Sequence, residues 1–224
     1  MDGTVTQAPT RATTRAIVFD LDGVLVWSAP MHWQAFRKTF EPSGVDFTWD
    51  DYLALGLGAS REEVIRRVLG DLPEPELRHL MAEKERHVRE HLQASGLASI
   101  PGSLDFVRAA RALRLKTAVA SASRTPDLLL SSVDALSLFD AVVGRHQVSR
   151  SKPHPDLYLR AAEIIGIPPG ECLVVEDSAI GIEAAKAAGM RVLAITTTEP
   201  PGNLARAHGV YGGFAEICLE SWLA

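Results

Sequence analysis

The part of the chain that most constrains its fold is residues 16–25, which read AIVFDLDGVL. An apolar, β-branched run of strand length ends here in two aspartates, Asp20 and Asp22, and Gly23 follows at once. Strand side chains alternate and a turn then bends the backbone, so Asp20 is expected at the carboxyl end of a buried strand, where open α/β sheets bind ligands. Two carboxylates crowded there would repel each other unless a cation or a proton intervened.

The segment from about residue 27 to residue 95 differs from this strand, because its apolar residues recur at helical spacing and strand-like runs disappear. Pro30 suits the first turn of a helix that runs to residue 40. Ser60 and Glu63 form a capping-box pattern ahead of an apolar helix face. Residues 74–94 are long, charged and helical in pattern. We therefore predict a helical insert over residues 27–96.

From residue 99 onward, strand-like and helix-like runs alternate. Strands are predicted at 116–120, 141–143, 173–175 and 191–195, and helices at 101–113, 126–136, 157–165 and 179–188. Such alternation indicates a parallel sheet with helices on both faces. The predicted fold class is therefore α/β, with a parallel-sheet core formed by residues 16–26 and 97–224.

Composition excludes several classes of protein. The chain has 224 residues, 46% of them hydrophobic, and a formal charge of −5, which is typical of a globular protein and not of a disordered or nucleic-acid-binding one. No apolar run reaches membrane-spanning length. Two cysteines, Cys172 and Cys218, are too few for a disulfide framework, which indicates a reducing compartment, the cytoplasm. Residues 1–15 lack the apolar core of a signal peptide and are predicted to be a disordered lead-in.

Polar residues also follow later strands. Ser121 comes directly after the strand at 116–120. Lys152 lies in the sequence SKPHPD, where two prolines hinder helix formation. Glu176 and Asp177 follow the strand at 173–175 and precede a helix, whose N-terminus favours negative charge. Because the carboxyl ends of parallel strands face one edge of the sheet, all of these side chains are expected to converge on one crevice with the two aspartates of the first strand.

This set of groups fits the cleavage of a phosphoryl group. Its carboxylates outnumber its lysine, so a hard divalent cation such as Mg²⁺ is expected. The expected ligands are Asp20, Asp22, Glu176 and Asp177. Lys152 and the cation would attract an anion, and Ser121 would offer it a hydrogen bond. Asp20 is then the candidate nucleophile, through an aspartyl-phosphate, and Asp22 the candidate general acid and base.

Each of these residues taken alone has a structural explanation. A serine such as Ser121 more often caps a helix or forms a turn, and a lysine such as Lys152 is more often a solvated surface residue. Acidic residues such as Glu176 and Asp177 stabilise the helix that follows them in any case. The joint pattern, in which the members follow strands or lie in loops between them, is what favours a catalytic site.

The chain resembles the haloacid dehalogenase superfamily, in the branch of phosphatases and phosphomutases that carry a helical cap after the first motif. Residues 20–24 (DLDGV) match the first motif, Ser121 the second, Lys152 the third and residues 176–178 (EDS) the fourth. The match also extends over residues 181–189. The resemblance implies a Rossmann-like core, an α-helical cap over residues 27–96, bound Mg²⁺ and an aspartyl-phosphate intermediate.

Within this branch the chain is similar in particular to β-phosphoglucomutase-like proteins. The similarity is carried by His32 and by the segments 58–62 (GASRE) and 120–123 (ASAS). It implies that His32 lies at the hinge near the general acid and that Arg61 meets a distal phosphate or polar group of the substrate. The substrate-binding residues that it implies are His32, Ser60, Arg61, Ala122 and Arg124. The structural alternatives are a packed histidine at His32 and a solvated arginine at Arg61.

The chain departs from the mutases of this branch at three positions. Trp27 stands where an acidic or small residue is usual, and Leu57 stands where the mutases carry a lysine for the second phosphate. Arg124 replaces the lysine after the second motif and keeps its charge but not its geometry. These changes favour a phosphatase over a mutase. We therefore predict a Mg²⁺-dependent phosphatase that acts on a small phosphorylated metabolite, such as a sugar phosphate. No nucleic-acid or membrane partner is expected.

Two alternatives remain open at this stage, a hexose-phosphate mutase and a non-catalytic scaffold of the same fold. A scaffold would be expected to lose Asp20 or Lys152, and neither is lost. A dehalogenase would lack Asp22, and a phosphonate hydrolase would need a cap lysine for a Schiff base. The lysines of the insert, Lys38 and Lys84, are interpreted as lying on ordinary helix faces.

Overall fold

A computed structural model describes residues 13–56 and 59–223 of the chain. Its centre is a six-stranded sheet in the order β3-β2-β1-β4-β5-β6, with all neighbours parallel. The strands are β1 (Ala16–Phe19), β2 (Lys116–Ala120), β3 (Ala141–Val143), β4 (Cys172–Glu176), β5 (Arg191–Ile195) and β6 (Gly209–Tyr211). The predicted α/β fold class is confirmed. Only β6 was not predicted, because it is a short, half-buried edge strand without an apolar run.

The register of the central strands brings their following residues to one edge. Phe19 lies opposite Val119 on one side and opposite Val175 on the other. All four residues of β1 are fully buried, as expected for a strand covered on both faces. Asp20 and Glu176 therefore leave the sheet side by side, next to the loop that follows β2.

The described helices are α1 (Ala29–Phe40), α2 (Trp49–Asp51), α3 (Arg61–Leu69), α4 (Glu74–Ser95), α5 (Ser103–Ala112), α6 (Pro126–Ser131), α7 (Asp156–Ile165) and α8 (Ala179–Ala187). A π-helical turn, Tyr52–Gly56, continues α2. The helix predicted over 126–136 ends earlier, at Ser131, and the chain turns through Asp134, which has a φ of 53°. None of the helices in the described ranges is long and apolar enough to cross a membrane.

Helices cover both faces of the sheet. Ile17 and Phe19 of β1 face one core, to which α5 and α6 contribute. Ala16 and Val18 face the other core, to which α7 and α8 contribute. Alternation along the strand thus divides the interior into two layers. Helices α1 to α4 lie between β1 and β2 in sequence and pack around a core of their own.

The core of these four helices, α1 to α4, which we call the cap, consists largely of aromatic residues. Phe36 stacks on Phe40 with ring centroids 5.7 Å apart, and Phe47 meets Phe40 edge-on at 5.2 Å. The predicted capping box at the start of α3 is confirmed, because the backbone N–H of Glu63 donates to Ser60 Oγ at 3.3 Å and the Ser60 N–H donates to Glu63 Oε2 at 2.8 Å. A capping box of this kind fixes where α3 begins.

Two neighbouring chain segments join the cap to the sheet. The Trp27 N–H donates to the Ala98 carbonyl at 2.8 Å, and the Ile100 N–H donates to the Leu25 carbonyl at 2.9 Å. Val26 and Ser99 form an antiparallel bridge between them. The chain therefore leaves and re-enters the core at one place, which is the geometry a hinge requires.

Residues 1–12 of the predicted lead-in lie outside the described residues. Thr14 and Arg15 depart from the expected disorder. Thr14 is buried, and its hydroxyl donates to the Trp222 carbonyl at 2.6 Å. Arg15 pairs with Glu171 at 2.9 Å. The ordered core thus begins before β1, because the residues ahead of this strand contact the end of the chain and the approach to β4.

Candidate active site

Three carboxylates converge beyond the carboxyl ends of β1 and β4. Asp20 directly follows β1, Glu176 is the last residue of β4, and Asp177 comes next. One carboxylate oxygen from each lies within 4.8 Å of the others. The three residues are 8%, 0% and 3% exposed, respectively. The predicted convergence is confirmed for this group, which we call the acidic trio.

Lys152 supplies a cation to the acidic trio. Its Nζ lies 2.8 Å from Asp20 Oδ1 and 2.6 Å from Glu176 Oε1, and its side chain is 4% exposed. Burial opposes a charge on Lys152, but the attraction of the two carboxylates outweighs it and raises the pKa of the lysine. Lys152 therefore stays protonated and holds Asp20 in one orientation.

Glu176 is held by donors on both of its oxygens. Besides Lys152, the Tyr158 hydroxyl donates to Oε1 at 2.7 Å, and the N–H groups of Asp177 and Ser178 donate to Oε2 at 2.9 and 3.1 Å. Burial favours the neutral form, but Lys152 and these donors lower the pKa of Glu176. Gly181 leaves the necessary space, because any side chain at that position would overlap the Glu176 carboxylate.

The acidic trio carries more negative charge than Lys152 can balance. Burial raises the pKa of Asp20 to about 7 despite Lys152, and Glu176 adds to the rise. Burial, together with the charges of Glu176 and Asp20, raises the pKa of Asp177 well above its ordinary value. Without a cation, Asp20 and Asp177 retain protons near neutral pH. Oxygen ligands of this kind are those that Mg²⁺ takes, so the acidic trio fits a site for this ion.

Asp22 occupies a different environment from the acidic trio. Its carboxylate accepts a hydrogen bond from the Ser28 hydroxyl and faces His32 Nε2 at 3.5 Å and Ser121 Oγ at 3.4 Å. Burial opposes its charge, but the hydrogen bonds from His32 and Ser28 outweigh it and lower the pKa of Asp22. The Asp22 carboxylate therefore lies apart from the acidic trio, and its expected place among the metal ligands stays a prediction. The Asp22 side chain faces the hinge, because Gly23 turns the loop with a φ of 78°.

Ser121 lies in the loop after β2, fully buried, where the sequence analysis expected it. Its Oγ accepts the N–H of Ser123 at 2.9 Å and lies beside Asp22. The same loop continues through Ala122 and Arg124, both exposed, which line the cavity that the core and cap enclose. This cavity has a volume of about 640 Å³.

The cap contributes the opposite wall of this cavity. Ser60, Arg61, His32 and Trp27 all line it, as do Lys84 and Glu85 of α4. The Ser60 hydroxyl is engaged as the cap of α3, and Trp27 is 39% exposed. Leu57, at which the sequence departs from the mutases, lies outside the described residues.

Lys84 is a site residue that the sequence analysis missed, because its interpretation as a residue on an ordinary helix face is wrong. It is 7% exposed, and its Nζ lies 2.9 Å from His32 Nδ1 and 5.0 Å from the centroid of the Phe36 ring. An ammonium has only donors, so Nδ1 accepts and the proton of the imidazole lies on Nε2, toward Asp22. Burial lowers the pKa of Lys84 to about 8. Burial and the charge of Lys84 also lower the pKa of His32.

Two threonines after β5 were also missed. The Thr198 hydroxyl donates to the Asp177 carboxylate, and the Thr197 hydroxyl donates to the carbonyl of Gly23. The residue at 23 must be glycine, since a side chain there would overlap Asp177. These threonines were predictable in the same way as Asp20 and Ser121, because they too follow a buried parallel strand.

Comparison with known proteins gives consistent results. The sequence profile described as haloacid dehalogenase-like hydrolase matches residues 17–195. The protein CbbY of Rhodobacter capsulatus is 34% identical over 190 residues, which cover 80% of this chain and 84% of the relative. The fructose-1-phosphate phosphatase YqaB of Escherichia coli is 29% identical over 176 residues, or 78% of this chain and 92% of the relative.

A solved structure extends this similarity to the fold. A mutant of CbbY from Rhodobacter sphaeroides, in complex with xylulose-(1,5)bisphosphate, superposes with a TM-score of 0.83 at 28% sequence identity. The superposition covers 94% of this chain and all of the other. Core and cap are therefore both shared with that protein.

Proposed function

Since the chain belongs to the haloacid dehalogenase-like hydrolases, we propose that it is a Mg²⁺-dependent phosphatase that hydrolyses a small phosphorylated metabolite, a sugar phosphate in particular. The observation that carries the proposal is the contrast between two aspartates. Asp20 is aligned by Lys152 inside the acidic trio, and Asp22 is held apart by Ser28 and His32. One carboxylate is thus positioned as a nucleophile and the other as a proton carrier.

In the first step, an oxygen of Asp20 attacks the phosphorus atom. The bond from phosphorus to the leaving oxygen breaks, and that oxygen takes a proton from Asp22. Asp22 has a lowered pKa in the free site. A dianionic phosphoryl group beside it would raise this pKa, because a like charge disfavours the carboxylate.

In the second step, water attacks the phosphorus atom of the aspartyl-phosphate. Asp22, now a carboxylate, takes the proton of this water, and the bond between phosphorus and the Asp20 oxygen breaks. Phosphate leaves and the Asp20 carboxylate is restored. Ser121 and Lys152 are positioned to bind the phosphoryl oxygens, because both border the space between the two aspartates.

The residues that would hold Mg²⁺ are Asp20, Glu176 and Asp177. When bound, the ion would neutralise part of the charge on the phosphoryl group. Thr198 and Tyr158 orient two of these carboxylates from behind. Such outer contacts commonly set the orientation of metal ligands.

A phosphatase is favoured over a mutase by the cap. A mutase must retain and rebind a bisphosphorylated intermediate, so it needs cations at the far end of its cavity. Leu57 provides none, and Arg61 is already paired with Glu85 at 3.1 Å, which leaves Arg124 beside it. Water would then intercept the aspartyl-phosphate before a second hydroxyl group could.

We further infer that the enzyme works in the cytoplasm. Cys172 is buried and Cys218 is exposed, and both are free thiols. Free cysteines are typical of a reducing compartment.

A screen of phosphorylated metabolites tests the proposed function. We expect phosphate release that requires Mg²⁺, stops in excess chelator and is absent from Asp20→Asn. Full turnover in excess chelator would reject the metal assignment. Absence of phosphate release across the panel from folded protein would favour the non-catalytic scaffold. Formation of glucose 6-phosphate from β-glucose 1-phosphate, primed with bisphosphate, at a rate above that of phosphate release would restore the mutase.

A further inference from the structure

Glu85 is an acidic residue that lines the cavity from the side of the cap. It follows Lys84 on α4, and its side chain is 22% exposed. Its Oε2 accepts a hydrogen bond from Arg61 at 3.1 Å, and its Oε1 accepts one from the Thr125 hydroxyl at 3.2 Å. Arg89 approaches the same carboxylate at 3.8 Å. Glu85 therefore bridges the cap, through Arg61, and the core, through Thr125.

This pair differs from the other acid–base pairs of α4. Arg86 pairs with Glu83 and Glu90 on the outer surface, where all three side chains are 34–49% exposed. Surface pairs of that kind contribute little to stability. Arg61, in contrast, is 20% exposed and also donates to the Met81 carbonyl at 3.4 Å. Its guanidinium group is directed along α4 by two acceptors before any substrate enters.

The charges at this end decide which substrates fit. Arg124 lies near Arg61, and together with burial it lowers the pKa of Arg61 against the effect of Glu85. Two arginines side by side would attract a phosphate, but Glu85 is already paired with Arg61 and neutralises its charge. A second phosphate would meet a carboxylate held at hydrogen-bond distance from its cation, and such like-charge contacts disfavour binding strongly.

A hydroxyl group meets no such obstacle. It would donate a hydrogen bond to Glu85 and accept one from Arg61, so both partners would remain satisfied. We propose that Glu85 determines substrate class: it directs the cavity toward monophosphates with a neutral, hydroxyl-bearing far end and against bisphosphates. This inference rests on the proposed phosphatase function, since it concerns the substrate of the same site.

The experiment compares matched substrate pairs that differ only in the second phosphate. The pairs are fructose 1-phosphate with fructose 1,6-bisphosphate and glucose 1-phosphate with glucose 1,6-bisphosphate. For each pair, the ratio of kcat/KM for the monophosphate to that for the bisphosphate is measured by phosphate release. We expect wild type to favour the monophosphate, and Glu85→Gln to shift the ratio toward the bisphosphate by about tenfold or more, mainly through the KM of the bisphosphate.

Three control variants separate this effect from structural change. Glu83→Gln removes the same charge one position from Lys84 but on the outer surface, so it should leave the ratio unchanged. Glu85→Asp keeps the charge and should keep the preference for monophosphate. Thr125→Val removes the contact between cap and core and should change both members of a pair alike.

The outcomes are distinguishable. Phosphate release from both members of a pair, with a ratio that Glu85→Gln does not alter, would overturn this inference and leave the phosphatase intact. A wild type that favours the bisphosphate would overturn it as well. If no substrate in the panel releases phosphate, the proposed function fails, and the role of Glu85 fails with it.

Discussion

Two lysines face the same cavity from opposite sides, and their environments differ sharply. Lys152 of the core touches two carboxylates, within 2.8 Å, and its pKa is raised. Lys84 of the cap touches a neutral histidine and the face of Phe36, and burial lowers its pKa to about 8. Both side chains are nearly inaccessible to solvent.

The difference indicates separate tasks for the core and the cap. In the core, Lys152 is paired with two carboxylates, so Lys152 and Asp20 hold a fixed arrangement without substrate. In the cap, Lys84 has no carboxylate within direct contact distance among the described residues. An anionic substrate would supply the missing partner. Under the proposed function, the core would carry out the chemistry and the cap would recognise the substrate.

The largest expected effect comes from removing the core lysine. Lys152→Met would leave the buried carboxylate of Asp20 without its cationic partner, which costs ~3–5 kcal/mol of folding stability. Loss of a positioned charge next to the phosphoryl group should also lower kcat/KM by roughly 10²–10³-fold. Phosphate release and thermal unfolding should both change. Lys116→Met is the matched control, because Lys116 pairs with Asp140 at 2.8 Å but is 51% exposed. Equal losses in the two variants would contradict the assigned role of Lys152.

Removal of the cap lysine should have a smaller effect of a different kind. Lys84→Met removes the charged donor that is expected to bind an anionic substrate. A hydrogen bond from such a group is worth ~1.5–3 kcal/mol, so kcat/KM should fall by roughly 10–100-fold, mainly through KM. Lys38→Met, on the exposed side of α1, should behave as wild type. If Lys84→Met lowered kcat and left KM unchanged, the division between recognition and chemistry would be wrong.

The smallest effect should come from a contact behind the acidic trio. Tyr158→Phe removes the hydroxyl that donates to Glu176 and should raise the Mg²⁺ concentration for half-maximal activity by about tenfold. At saturating Mg²⁺, kcat should stay close to that of wild type. Tyr211→Phe, at the edge strand β6, is the control. An unchanged Mg²⁺ requirement in Tyr158→Phe would remove Glu176 from the proposed ligands.

The core of the site was predictable from sequence, but the buried lysine of the cap was not, for a physical reason. Asp20 and Ser121 each follow a buried strand directly, and parallel strands all end at one edge, so position along the chain implied position in space. Lys84 lies on a 22-residue helix with charges on every side, and its pattern does not reveal which charge is buried. Only packing of α4 against α1 settles that.

The direction of individual side chains was equally hidden. Asp20 and Asp22 are two residues apart, yet one faces Lys152 and the other faces Ser28 and His32. The turn at Gly23 and the hinge beside it set this difference, and the spacing of two carboxylates in a loop does not specify it. For the same reason Glu85 was not recognised, since its significance depends on the pairing with Arg61.

The covalent role of Asp20 is the centre of this account, and the phosphoryl-enzyme tests it most directly. Asp22→Asn should lose activity by ~10²–10⁴-fold, because its general acid and base is gone. With p-nitrophenyl phosphate, whose leaving group needs no proton, the first step should still proceed and the second should stall. Intact-protein mass spectrometry after an acid quench should then find one added phosphoryl group in Asp22→Asn and none in Asp20→Asn/Asp22→Asn, and peptide mapping should place the group on Asp20. Ordinary turnover by Asp20→Asn, or a phosphoryl group on any other residue, would contradict the account.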